Sequence, residues 1–418
     1  MIFISTIKKY HKNIKNLFFS FLISSIGTNT ARIIMSVLVY QLTGSKTSTA
    51  ASIIVSRLPS MILGSPIGRL SEAFDPKKIM LVLEFFSFLL FLILAFFYDD
   101  FGVWFIFFVF FLTYTNMFIF HAVKTKLITS FLNNSDLINE AMAMRLQIVY
   151  FSLAIGPYIS GYLLKWLPAS DVLILNSVVF LISILFLIRL PNIQNNFEIH
   201  KTLKNIFRFN NWFGISDNLK SIRKKVVLKQ ISFFYFVRSI AYGIVNGVVP
   251  LIALDYLKIG SEGLGTYFLC GMFGAMIGTY LYGKFVKLKI PAHGVRQSFY
   301  FVIMSIFEIV FLFLHLSSND FLSFIAFVFI ANNFMLLVES RIEYIFADLP
   351  DNNEKAAIRS FQEVIKSSGF LIGIIFLLTT INHLNYFQLS KIVALIMILS
   401  CLVLFLEKAT NPKYEFKI

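Results

Sequence analysis

The sequence predicts an all-α membrane protein of twelve transmembrane helices arranged as two pseudo-repeated six-helix bundles. Three observations carry this. Mean hydropathy is +0.77 and only 14% of residues are charged, against about 25% in soluble domains. A crossing helix needs about 20 apolar residues, and such runs occur twelve times along the chain. The two halves also echo each other at a spacing of 214–216 residues.

Taken in order, the runs cover 17–42, 48–70, 78–98, 102–122, 140–167, 171–190, 227–256, 262–286, 296–316, 320–346, 355–381 and 386–406. The first is too long for a signal-peptide core and lacks a small-residue cleavage site, so it is expected to stay in the protein. Lys8, Lys9, Lys12 and Lys15 precede it. Further cations, Lys77/Lys78, Lys124/Lys126, Lys284/Lys287/Lys289 and Lys355/Arg359, fall in the even loops. Asp99–Asp100, Asp171 and Asp320 mark the opposite, cation-poor loops. This alternation is the positive-inside pattern and predicts two cytoplasmic termini. It accounts for the net charge of +15 through a membrane rather than nucleic acid.

Residues 191–225 are polar, Asn-rich and basic at Arg223–Lys225, and read as a cytoplasmic linker. Within it, Ile206–Ile215 carries aromatic residues suited to lipid headgroups. The predicted domains are 1–190, this linker, and 226–418. The repeat supports the division. Asn139-Glu140-x-x-Ala143-x-Arg145 returns as Asn353-Glu354-x-x-Ala357-x-Arg359, and Tyr40…Gly44-Ser45 as Tyr256…Gly260-Ser261.

Cys270 and Cys401 lie in apolar runs and form neither a disulfide framework nor a metal spacing. No phosphate loop, H-E-x-x-H or G-x-S-x-G is present, so no catalytic residue, metal or cofactor is expected. Asn133-Asn134-Ser135 falls in a predicted cytoplasmic loop and reads as a chance glycosylation match.

The short charged turn Leu63–Lys78 contains Gly68, Leu70, Glu72, Lys77 and Lys78. It resembles the G-x-L-x-D-R-x-G-R-K loop of the major facilitator superfamily. Glu72 replaces the family Asp, Ala73 its Arg, and Asp75-Pro76 its Gly-Arg pair. Gly156-Pro157 with Gly161 is similar to a shortened span-5 exporter motif; the same residues also read as a kinked packing helix. S-S-I-G-T-N-T-A-R, V-Y-Q-L-T-G-S and S-R-L-P-S, between Ser24 and Lys78, resemble the macrolide-efflux and enterobactin-exporter branch. Thr28 and Asn29 stand where that branch often has an acid, so no proton-binding carboxylate is expected on span 1.

The resemblance implies a monomeric secondary transporter of the bacterial inner membrane, working by alternating access without a cofactor. It would exchange protons for export of a small organic molecule, siderophore or drug-like. Uptake of such a molecule, or flipping of a lysophospholipid-like amphiphile, is the alternative. An enzyme would show a carboxylate or histidine cluster at the membrane surface, which the sequence lacks. A sensor would need a soluble domain longer than 191–225.

Polar residues at helical spacing mark the expected path. Ser25, Asn29, Arg32 and Ser36 form one stripe, and Arg238, Tyr242 and Asn246 another. Thr113 with Asn116, and Asn332 with Glu339 and Glu343, mark spans 4 and 10. By resemblance spans 1, 4, 7 and 10 line a central cavity, so Asn29, Arg32, Asn116, Arg238, Tyr242, Asn246, Asn332 and Glu339 are the substrate-path candidates. A charge at the bilayer centre costs about 3 kcal/mol or more. Arg32 and Arg238 therefore read either as substrate or gate residues or as members of ion pairs. Glu308, Glu339 and Glu363 are the proton-coupling candidates, each also readable as a paired structural acid. Lys366 lies one turn from Glu363.

Glu84 reads as an anchor of span 3 near its inner edge, and His121 as interfacial. Gly271, Gly274 and Gly278 read as a packing face. The gating candidates are Gly68, Glu72, Lys77, Lys78, Arg145, Gly156, Pro157 and Arg359, with Glu72 expected against the start of span 11 when the inner side is closed.

Overall fold

A computed structural model describes residues 12–73, 75–131, 135–191, 226–282, 295–348 and 355–406. Among them the chain forms helices and no strand. In order these are α1 Lys12–Thr43, α2 Lys46–Ala73, α3 Pro76–Phe131, α4 Ser135–Trp166, α5 Ala169–Ile188 and α6 Val226–Leu251. There follow α7 Gly260–Leu281, α8 Val295–Leu316, α9 Phe321–Asp348, α10 Lys355–Thr380 and α11 Tyr386–Leu406. A π-turn, Ile252–Tyr256, continues α6. The twelve expected spans fit into these helices because α3 contains two of them. They are separated at Gly102, where φ 68° and ψ −164° define a backbone conformation that glycine alone reaches without strain.

Among the described residues, eight stretches are long and apolar enough to cross a membrane, and Val364–Thr380 and Tyr386–Leu402 are shorter apolar ones. Large apolar side chains such as Phe96, Phe108, Leu185, Phe299 and Leu322 stand outward. Such a surface would be an aggregation liability in water and is at home in lipid.

Two compact units divide the chain: Met1–Gly44 with Leu58–Phe213, and Ser45–Arg57 with Gly214–Ile418. In the first, Phe18 and Phe21 of α1, Phe120 and Leu127 of α3, Met144 and Ile148 of α4 and Leu187 of α5 close one core. Its α3 begins with a local cap. The Lys77 N–H donates to Asp75 Oδ1 at 2.9 Å, and Pro76 occupies the first helical position, where a missing N–H costs nothing. This is the physical reason for Asp75-Pro76 at that point of the turn.

In the second unit, Phe234, Phe301, Val338, Ile342 and Phe346 form the corresponding core. The face expected from Gly271, Gly274 and Gly278 is present: these glycines of α7 lie against Asn332, Phe329 and Asn333 of α9. The beginning of α2 also belongs to this unit. Lys46 pairs with Asp255 at 2.8 Å, Arg57 lies over the Phe370 ring, and Ile53 packs on Phe370 and Ile374. Asp320 caps α9 by accepting from the Ser323 N–H and hydroxyl, which holds its carboxyl below the usual range.

The repeat is visible in the backbone. Gly44 and Gly260, 216 positions apart, have φ of 60° and 66°, a left-handed residue between α1 and α2 in one case and at the opening of α7 in the other.

Two expectations need correction. Lys124 is not a loop cation: α3 runs on to Phe131, beyond the apolar window, and Lys124 is 0% exposed. Glu84 is not an edge anchor either, since packing from α1 and α5 buries it to 2% exposure. Residues 1–11, the linker, 283–294 and Asn353-Glu354 lie outside the described residues, as does the side chain of His121.

Candidate functional site

Four helices of the second unit bring ionisable side chains to one level. Arg238 lies twelve residues into α6, Glu308 thirteen into α8 and Lys366 eleven into α10, while Glu339 lies nine before the end of α9. At 1.5 Å per residue, all stand about 14–20 Å from the same end of the unit.

Arg238 and Glu308 are buried at 2% and 0% exposure. The guanidinium donates from Nη2 to Glu308 Oε1 at 2.7 Å, and Tyr242, one turn further along α6, donates its hydroxyl to the same oxygen. The Arg238 guanidinium also lies 5.4 Å from the Tyr242 ring centroid. Beside this pair, Glu339 accepts from the Lys366 ammonium and, at 3.1 Å, from the Tyr235 hydroxyl. The Lys366 ammonium is 5.7 Å from the Tyr235 ring centroid. One turn along α9, Glu343 accepts from Gln362 Nε2 at 2.7 Å. Each acid is thus held by a cation or a neutral donor, as buried charge requires.

Among the path candidates, Arg238, Tyr242 and Glu339 converge on this network, together with the proton candidate Glu308. Asn246 donates to the Tyr242 carbonyl at 2.9 Å, continuing the stripe, and Asn332 packs against Gly271. In the first unit the path candidates are Asn29, Arg32 and Asn116. Asn29 of α1 donates to the Ser25 carbonyl and to Ser152 of α4 at 3.2 Å. Arg32 is half-buried one turn further along α1. Asn116 donates to Ser87 at 3.3 Å, bridging the two legs of α3.

Of the gating candidates, Lys77 donates its ammonium to the Ile188 and Leu190 carbonyls, closing the C-terminal end of α5. Lys78 is exposed and Arg145 half-buried. Gly156 marks a close crossing, where a Cβ would come within 2.8 Å of the Ile26 carbonyl oxygen. Thr30 of α1 donates to the Gly156 carbonyl there. Pro157 follows inside α4. Gly68 and Glu72 lie in α2, and Arg359 and Glu363 in α10, but their side chains lie outside the described residues.

Sequence reasoning missed Tyr235 and assigned Lys366 no role beyond proximity to Glu363. The signal for Tyr235 was present, because positions 235, 238 and 242 form one helical stripe.

The Major Facilitator Superfamily description matches residues 17–374. No curated protein matches the sequence. Among solved structures, a POT family transporter in complex with a thioalcohol-conjugated peptide is similar with TM-score 0.75 at 10% identity, over 97% of this chain and 99% of that one. A bacterial homologue of the human lysosomal transporter Spinster, inward-facing and unoccupied, gives 0.70 at 11%, over 97% and 98%. The human organic anion transporter MFSD10 gives 0.66 at 11%, over 94% and 99%. At such identities these likenesses concern the fold. The family match over most of the chain, with transporters as structural neighbours, points to membrane transport rather than an enzyme, and the chain belongs to the major facilitator superfamily.

Proposed function

We propose that this chain is a monomeric secondary active transporter that works by alternating access and exports a small organic molecule, siderophore or drug-like, in exchange for protons. Its site would be the bacterial inner membrane, with both termini in the cytoplasm. The observation that supports a transport role most is the network of Arg238, Tyr242, Glu308, Glu339 and Lys366. Buried ion pairs seldom stabilise more than apolar residues of similar size, so charge kept at this depth calls for another use. In this reading Arg238–Glu308 and Lys366–Glu339 are exchangeable pairs. A substrate carboxylate or phenolate competing for Arg238, or a proton arriving on Glu308 or Glu339, loosens one pair and biases the bundle toward its other arrangement. Asn29, Arg32, Asn116, Asn246 and Asn332 supply neutral and cationic contacts along the path. Leu63–Lys78, the end of α2 and the start of α3, serves as the inner gate, with Glu72 and Arg359 as gating residues. Export rather than uptake rests on the resemblance of Ser24–Lys78 to the efflux branch.

The test is a deletion strain, with small molecules compared inside and outside the cells by mass spectrometry, iron-replete and iron-starved. Export predicts a compound retained inside and missing outside. Wild-type protein should restore its release, and Arg238→Gln should restore it at least about tenfold less. A compound left outside would reverse the direction, and unchanged fractions would overturn export of a soluble molecule.

A further inference from the structure

The first unit holds a second buried charge cluster. Glu84 and Lys124 belong to the two legs of α3 that meet at Gly102, and both are sealed from solvent, at 2% and 0% exposure. Ser24 of α1 and Ser183 of α5 stand beside the Glu84 carboxyl. The Ser183 hydroxyl is engaged with Ser20 at 2.8 Å. Neither Glu84 oxygen nor the Lys124 nitrogen has a hydrogen-bond partner. The ammonium lies over the Phe21 ring of α1, with Phe120 at 5.9 Å. The charges that face the cluster are Lys124 toward Glu84 and Arg145 of α4 toward Lys124, while α1 and α5 contribute hydroxyls and the Phe21 ring.

The repeat explains why the cluster is incomplete. Lys124 precedes Glu339 by 215 positions, Phe21 precedes Tyr235 by 214, and Ser152 precedes Lys366 by 214. Where the second unit closes Glu339 on Lys366 and Tyr235, the first has a serine at the position that matches Lys366 and a ring without a hydroxyl at the position that matches Tyr235. The seat on Phe21 rewards a charged ammonium. A carboxylate faced by two serine hydroxyls, with no cation in contact, is costly in such an interior, and a proton on Glu84 removes that cost. Movement of the ammonium from Phe21 onto the carboxylate would remove it equally. The two arrangements differ by one proton.

We propose that Glu84 is a proton-binding site of this transporter, loaded while Lys124 rests on Phe21 and discharged when the ammonium moves onto the carboxylate. On discharge the carboxyl O–H bond breaks, the proton passes to water, and Lys124 stays protonated throughout. This rests on the transport reading above and adds to it a site in the other unit.

The decisive measurement is infrared spectroscopy of the full-length protein in lipid across pH, following the C=O stretch of protonated carboxyl groups. Wild type should show a titrating band that Glu84→Gln removes and Glu308→Gln keeps, and Phe21→Leu should move its midpoint to lower pH. No titrating band in wild type, or a band that survives Glu84→Gln, overturns the proposal. If Glu84→Gln does not fold, Glu84→Asp must shift the band, and an unshifted band overturns the proposal equally. With the exported compound in hand, Glu84→Gln should lose pH-gradient-driven accumulation in vesicles by about tenfold or more, and full accumulation would also overturn it. If wild type moves no compound while the band still disappears in Glu84→Gln, the proton site stands and the transport reading fails.

Discussion

Removing Glu308 would leave the Arg238 guanidinium buried with its counter-charge gone, which typically costs about 3–5 kcal/mol. Glu308→Ala should therefore lower the thermal unfolding midpoint of the solubilised protein sharply. Arg238→Met/Glu308→Met, which removes both charges and keeps volume, should recover most of the loss. If the double variant unfolds as early as the single one, the two residues do not act as a unit. The stripe Arg238–Tyr242–Asn246 was legible because helical spacing is local. The partnership with Glu308 was not, since it depends on how α6 and α8 are rotated against each other. Lys366 makes the same point: rotation of α10 delivers its ammonium to Glu339, a partner that local spacing could not announce.

Among the helices, the breaks were easier to read than the ends. Asp99–Asp100 and Gly102 separate two apolar runs, and the chain does turn at Gly102. Its φ/ψ pair is essentially barred to residues with a Cβ, so Gly102→Ala should destabilise the protein by about 1–3 kcal/mol, read as a lowered unfolding midpoint. Space around Gly102 is open, with no atom within 4 Å of an added Cβ, so steric conflict would not explain such a loss. The inner end of α3 misled for the opposite reason. Hydropathy falls at Lys124, yet the helix continues to Phe131, and α1 lays Phe21 beneath the ammonium. A hydropathy window reports what a segment would choose alone, and a neighbouring helix can bury what that segment would have exposed. The glycines of α7 were legible as a packing face, but their partner helix, α9, was not.

For the molecule as a whole, internal repetition was the most informative signal. Residues 214–216 positions apart proved related in backbone as well as in letter, as the left-handed residues Gly44 and Gly260 demonstrate. The repeat also exposes where the halves diverge, because a serine at 152 against a lysine at 366 is a difference of one full charge inside a lipid-facing bundle. What repetition could not convey is cargo: cargo is chosen by a few side chains, and the repeat reports what the halves share.

Trp104 and Trp166 are 82% and 75% exposed. They stand at the start of the second leg of α3 and at the end of α4, hence at one end of an antiparallel pair. Indoles prefer the interface between lipid and water. The chain has three tryptophans, and the third, Trp212, falls in the basic linker assigned to the opposite side. Trp212→Phe would thus leave a protein whose tryptophan emission, excited at the red edge where tyrosine does not absorb, comes from a single membrane face. Iodide, which does not cross the bilayer, should dim that emission when added to right-side-out vesicles and leave it bright in inverted ones. The reverse result would turn the orientation of the whole chain over.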